Sequence, residues 1–161
     1  MIAKAIFAAL MLLPIAAPVA AHEYTVGSLV IDHPWARATP PGARVAGGFL
    51  TITNRGQEAD RLIGGTAPDA QAVEVHESSV SADGIARMRP LAEGLLIPPG
   101  ETVTLQPGGV HLMIIAPTNP LKIGESYSAA LRFENAGEVP MEFDVVSIGG
   151  QPASDVHGST Q

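Results

Sequence analysis

Hydrophobic and polar residues alternate with a period of two along most of this 161-residue chain, and no long segment keeps the period of a helix. Residues two positions apart lie on the same face of a strand, so each alternating run predicts a strand with one buried face. The predicted strands are Tyr24–Asp32, Val45–Thr53, Arg61–Gly64, Ala72–His76, Ile85–Arg89, Thr102–Leu105, His111–Ile115, Ser126–Glu134 and Met141–Ile148. The chain is therefore predicted to be all-β.

Turn residues separate these runs, in the stretches TPPGA, NRGQ, SADG, IPPGE, QPGG and NAGE. Most of the 14 prolines also lie between the runs rather than inside them. Many short strands joined by Gly/Pro turns predict an antiparallel, Ig-like β-sandwich or barrel. The chain has the length of one domain and shows no internal repeat or linker.

The N-terminal segment has the features of a secretory signal peptide over residues 1–21. Lys4 supplies a positive charge, an apolar stretch follows, and the small residues before Ala21 predict cleavage after it. The domain is then expected over residues 22–150, with a flexible polar tail over 151–161. No second apolar run is long enough to span a bilayer, so we expect an exported, soluble protein without a membrane anchor.

Charge and cysteine content exclude several classes of function. The formal net charge is −7, and loss of Lys4 with the signal peptide would make it −8 (−7 − 1). Lys122 would then be the one lysine left in the chain. Such a chain is not expected to bind nucleic acid or anionic membranes. It has no cysteine, which excludes thiolate catalysis, iron–sulfur clusters and blue copper. No catalytic Ser/His/Asp pattern is recognisable, so an enzyme is not predicted.

Two histidines and two methionines in three of the predicted strands are candidate metal ligands. His111 and Met113, in GGVHLMIIAP, share one strand face. His76 lies in QAVEVHESS, on the same face as Glu74, and Met88 lies between two arginines in GIARMRPL. The Asp-Gly pair in SADG predicts a hairpin that returns Met88 toward the His76 strand. Sequence does not say whether the third strand lies beside them.

Two interpretations of these four residues remain open. Two imidazoles and two thioethers would suit Cu(I), whereas zinc, calcium and magnesium sites rarely use thioether sulfur. Taken singly, each residue is more often structural: Met113 as core filling, His111 as a buried hydrogen-bonding ring, and His76 and Met88 as surface side chains. Their joint occurrence at hairpin-compatible spacing favours a ligand set.

The remaining candidates are weaker. His22 would become the N-terminal residue and could bind Cu(II) weakly through its amino group and ring. His33 is expected to end the first strand and help seat Trp35, and His157 lies in the polar tail. Glu74 and Glu77 flank His76, either as partners of its ring or, more commonly, as solubilising charges.

The stretches HPWARATPPGARVAGGFLTITN and VEVHESS…GIARMRPL…GLLIPPGETVTLQPGGVHLMII are similar to the periplasmic PCu(A)C copper chaperones. The resemblance runs from about Tyr24 to about Ile148. The family's motif is a His, often followed by Met, then a Met and a His-x-Met; it implies His76, Met88, His111 and Met113 as ligands. Glu77 replaces the optional Met, and the His/Met-rich tail of some members is reduced to one histidine.

This resemblance implies a cupredoxin-like β-sandwich that holds one Cu(I) in the periplasm. It also implies delivery of copper to the copper A centre of cytochrome c oxidase subunit II, together with Sco-type thiol proteins. The leading hypothesis is a non-enzymatic Cu(I) metallochaperone that works by ligand exchange. A metal-free Ig-like interaction domain is the main alternative, and a cupredoxin-like electron carrier is disfavoured by the missing cysteine.

Overall fold

A computed structural model of the protein describes residues 23–152, which form strands and turns and contain no helix that could cross a bilayer. The predicted signal peptide, His22 and His157 lie outside these described residues, as does the tail beyond Pro152. The strands are β1 Glu23–Val26, β2 Leu29–Arg37, β3 Val45–Asn54, β4 Asp60–Thr66, β5 Ala72–Val80, β6 Ala86–Pro90, β7 Leu95–Ile97, β8 Thr102–Leu105, β9 Val110–Ile115, β10 Ser126–Phe133 and β11 Gly137–Val146.

Seven of these strands close into a barrel in the order β2-β11-β10-β4-β5-β9-β3, because β3 pairs back with β2. The four other strands extend it at the edges: β1 pairs with β2, β6 with β5, β7 with β4 and β8 with β3. Every pairing is antiparallel except that of β2 with β11. The predicted all-β class and sandwich-like or barrel architecture are confirmed, with this one parallel pair as an addition.

The first predicted strand, Tyr24–Asp32, is wrong as a single element. Gly27, with a φ of 55°, opens a tight turn between β1 and β2, and Val26 pairs with Leu29 across it. The expectation that His33 ends this strand is also wrong. His33 is an exposed bulge residue with a φ of 50°, and β2 continues beyond it to Arg37. Before this bulge β2 pairs with β1, and after it β2 pairs with β11.

The largest further differences from the sequence pattern are one missed strand and two boundaries that move by four residues. The strand β7 was missed because three residues are too few to show alternation. The strand β5 runs on to Val80 instead of ending at His76. The strand β11 starts at Gly137 rather than Met141, and Pro140 fits inside it because β2 pairs only with residues 144–146, leaving the proline on an unpaired edge.

The barrel interior is filled by aliphatic and aromatic side chains, among which Phe133 and Phe143 are the largest fully buried ones. Four polar or charged residues are buried among the described ones: Asn54, Asp60, His76 and His111. Asn54 and Asp60 hydrogen-bond to backbone groups of neighbouring loops. The two histidines are paired across the adjacent strands β5 and β9, and two buried histidines side by side are unusual for a protein interior.

Gly65 is the point where β4 pairs with β10 on one side and β5 on the other. A Cβ there would overlap the backbone oxygen of Ala130 and lie 3.2 Å from Leu131 Cα. We therefore expect Gly65→Ala to lower the free energy of unfolding by about 1–3 kcal/mol, measured by urea denaturation. Gly149→Ala, where nothing lies within 4 Å of the new atom, is the control. Equal stability of the two variants would contradict the tight β4–β10 contact.

Candidate metal centre

The pairing of β5 with β9 sets His76 directly opposite His111. Their ring centroids are 6.2 Å apart, and the residues are only 9% and 6% exposed. The next pair along, Val75 and Leu112, belongs to the barrel core. Because neighbouring residues point to opposite faces, both histidine rings lie on the outer face of the barrel wall. They are covered there, so His76 is not the surface side chain that the structural alternative described.

Met113 lies on the same outer face as His111, two residues further along β9. Its cross-strand neighbours are Glu74 on β5 and Gly47 on β3. Gly47 has no side chain, and the ring of Phe49 folds over it so closely that a Cβ would be 3.0 Å from the ring. Met113 is half-buried in this arrangement.

Met88 reaches the same face from the β5–β6 hairpin that was expected at Asp83-Gly84. It pairs with Ser78, which lies two residues beyond His76 on β5 and therefore on the same side. The flanking arginines point to the opposite side, where Arg89 forms a 2.6 Å ion pair with Glu77. Met88 is 55% exposed, which makes it the most accessible of the four predicted ligands.

Three of the four residues line one surface cavity of about 250 Å³: Met88, His111 and Met113. His76 does not line this cavity in the structure and is linked to it through the neighbouring ring of His111. His33 lies on β2, which β3 separates from β9. The fold thus gathers the four residues of the motif on neighbouring strands and leaves His33 apart.

Both histidine rings have a hydrogen-bond acceptor on one nitrogen. His111 Nδ1 donates to the carbonyl oxygen of Gly109 over 3.0 Å, and His76 Nε2 donates to Glu74 Oε2 over 2.8 Å. A carbonyl or ionised carboxylate can only accept, so the hydrogen lies on these nitrogens. In the neutral rings His76 Nδ1 and His111 Nε2 carry the lone pairs. His76 Nδ1 is buried and has no hydrogen-bond partner among the described residues.

This donor set fits a soft cation. The part of the chain described by the structure contains no cluster of three or more His, Asp or Glu residues arranged to hold a metal, and the chain has no cysteine. The donors that the fold brings to this face include the thioether sulfurs of Met88 and Met113 beside the imidazole nitrogens. That combination favours Cu(I) over zinc, calcium or magnesium.

One wall of the cavity is aromatic and was not predicted from the sequence. Phe49 stacks on Trp35 with ring centroids 4.3 Å apart, and Arg37 lies over the Phe49 ring at 5.7 Å. The same ring lies 6.4 Å from that of His111. Alternation along β3 put Phe49 and Gly47 on one face, but only the pairing of β3 with β9 brings that face to the histidine.

Sequence comparison gives a family for the chain. The family model described as "Putative lipoprotein LpqE-like" matches residues 29–145, a range that includes all four His and Met residues. The protein named "Putative lipoprotein Lxx21020", from Leifsonia xyli subsp. xyli (strain CTCB07), is 30% identical over 120 residues, which cover 74% of this chain and 70% of that protein.

Solved structures with the same fold include several PCuAC domains. The copper-bound PCuAC domain from PmoF2 is 31% identical, with a TM-score of 0.65, and covers 78% of this chain and 98% of its own. The apo PCuAC domain from PmoF1 is 29% identical, with a TM-score of 0.66, and the match covers 78% of this chain and 99% of that domain. Cu(I)-bound DR1885 from Deinococcus radiodurans is 26% identical, with a TM-score of 0.57, and the match covers 77% of this chain and 80% of that protein. The chain therefore belongs to the LpqE-like family, and its fold confirms the resemblance to the PCu(A)C copper chaperones.

Proposed function

We propose that this protein is a Cu(I)-binding metallochaperone of the cell envelope that holds one Cu(I) with His76, Met88, His111 and Met113. The observation that carries this proposal is the convergence of two imidazoles and two thioethers on one outer face of β5, β6 and β9. The copper-bound state of two structural relatives, the PmoF2 domain and DR1885, supports the same metal.

The state of the histidines also supports metal binding. A buried ring nitrogen without a hydrogen bond is costly, so His76 Nδ1 is a group that gains from a ligand. Histidines that bind metals normally donate their second N–H to a carboxylate or a backbone carbonyl. His76 and His111 have one acceptor of each kind.

The exposure of Met88 suits a protein that passes its metal on. A partner's ligand must reach the copper before the chaperone's ligands let go. Met88 is exposed on β6, which pairs with β5 alone among the described strands, so its thioether is the first ligand that an incoming group can replace. An electron carrier would instead need a cysteine thiolate to tune its copper, and this chain has none.

We further propose that the copper is delivered to the copper A centre of cytochrome c oxidase subunit II, with Sco-type thiol proteins. The sequence resemblance is the support for this acceptor. The direction of transfer is chemically reasonable because Cu(I) binds soft thiolate ligands strongly, so a thiol protein can withdraw it from neutral thioether and imidazole donors. The predicted signal peptide and the lipoprotein names of the relatives support an exported, envelope location.

An anaerobic titration with Cu(I) tests the metal site. The chain from His22 onward competes with a coloured Cu(I) chelator, and we expect it to withdraw one equivalent. X-ray absorption of the loaded protein should show both sulfur and nitrogen neighbours. Failure to compete would mean that the histidines and methionines are structural, as in a metal-free Ig-like interaction domain.

A further inference from the structure

The two histidines of the proposed site are held in opposite tautomers by acceptors at equivalent positions. Each acceptor lies two residues before its histidine: Glu74 before His76 and Gly109 before His111. The Gly109 carbonyl takes the hydrogen of Nδ1, whereas the Glu74 carboxylate takes the hydrogen of Nε2. The free lone pair is therefore on the ring nitrogen nearer the backbone in His76, and on the distal ring nitrogen in His111.

The position of Glu74 follows from the strand geometry. Residues two apart on β5 share a face, so the Glu74 carboxylate extends beside the His76 ring rather than into the barrel. The same residue is the cross-strand neighbour of Met113 on β9. Its side chain is 48% exposed, while that of His76 is 11% exposed, so the carboxylate lies at the water boundary of a buried ring.

The second glutamate near His76 has a different role. Glu77 is on the alternate face of β5 and forms its ion pair with Arg89. Both glutamates flank His76 in the sequence, but alternation along β5 places only Glu74 on the face of the ring, and the structure adds the hydrogen bond between them. Glu77 consequently provides a matched control for any change made at Glu74.

We propose that Glu74 is a positioning residue that fixes His76 in the Nε2–H tautomer, so that copper is bound through Nδ1 of His76 and Nε2 of His111. This inference rests on the proposed function. The hydrogen bond holds the ring orientation before the metal arrives. Glu74 also brings a negative charge beside a cation whose four direct ligands are neutral.

Nuclear magnetic resonance of the metal-free protein tests the first half of the proposal. Long-range proton–nitrogen spectra of ¹⁵N-labelled protein distinguish the two tautomers of each histidine. We expect Nε2–H for His76 and Nδ1–H for His111 in the wild type. In Glu74→Ala the His76 ring should become a mixture of tautomers, while His111 and the control Glu77→Ala should keep the wild-type pattern. An Nδ1–H tautomer of His76 in the wild type would overturn the proposal.

Cu(I) affinity tests the second half. Loss of a second hydrogen-bond partner from a metal-bound histidine typically weakens metal binding by about 10- to 100-fold, and we expect this loss for Glu74→Ala. Glu74→Gln retains an accepting oxygen and should recover most of the affinity, and Glu77→Ala should bind as the wild type does. Unchanged affinity in Glu74→Ala, with tight binding by the wild type, would overturn the positioning role.

The two measurements separate this inference from the proposed function. If the wild type binds no Cu(I), the chaperone proposal fails, and with it the assignment of copper-binding nitrogens. If the wild type binds Cu(I) but the tautomers or the Glu74→Ala affinity disagree with expectation, the positioning role alone fails. Thermal unfolding of each variant shows whether a loss of affinity comes from a loss of folded structure.

Discussion

Replacing Met88 and Met113 together by leucine is expected to abolish tight Cu(I) binding while the protein stays folded. The change removes both sulfur ligands, and the two remaining imidazoles give an incomplete site for a soft cation. We expect affinity to fall by at least about 100-fold, which corresponds to about 2.8 kcal/mol. Because leucine has nearly the volume of methionine, the expected cost in stability is below about 1.5 kcal/mol per site. Chelator competition and thermal unfolding measure the two effects.

Met141→Leu is the matched control for this double variant. Met141 is buried in the barrel core, away from the cavity that Met88 and Met113 line. Its replacement should leave Cu(I) affinity unchanged. Wild-type affinity in the double variant would show that the thioethers are not ligands, and the metallochaperone proposal would lose its chemical basis.

Asn54→Ala is expected to cause a large loss of stability for a single change. Asn54 is fully buried at the end of β3. Its amide nitrogen donates to the carbonyl oxygens of Glu58 and Ile97, and its amide oxygen accepts from the N–H of Gly56. Alanine would leave these three backbone groups without their partner. The bond to Ile97 is buried, whereas those to Glu58 and Gly56 are part-buried. A buried unsatisfied group costs about 1–3 kcal/mol and a part-buried one less, so we expect a total of about 3 kcal/mol.

Urea denaturation measures this loss, and the midpoint of thermal unfolding should fall by roughly 10 °C or more. Asn119→Ala is the control, because Asn119 is exposed and its side-chain hydrogen bond within residues 23–152 is to the adjacent Thr118. Copper affinity of Asn54→Ala at low temperature should equal that of the wild type, since Asn54 does not line the cavity. A loss below 1 kcal/mol would contradict the view that this amide joins the loops at that end of the barrel.

Alternation along the chain predicted the strands wherever one face is buried and the other is wet. Thr102–Leu105 matches β8 at both ends, and β9 differs by one residue. Alternation does not predict strand boundaries that are set by local backbone geometry or by strand pairing instead of side-chain polarity. Gly27 turns the chain in the middle of a continuous alternating run, and β7 is a strand because it pairs with β4 over three residues.

The sequence by itself determined the class of the fold and the chemistry available to the candidate site. The absence of cysteine, the shared face of His111 and Met113, and the hairpin that returns Met88 follow from composition and from rules that act over a few residues. Tertiary structure decided three further points: that His76 faces His111, that Phe49 lines the cavity, and that the Glu74 carboxylate lies within hydrogen-bond distance of the His76 ring. These depend on which strands become neighbours and in what register. Register is settled by packing the whole barrel at once, because a slip of one residue would turn every inward side chain outward.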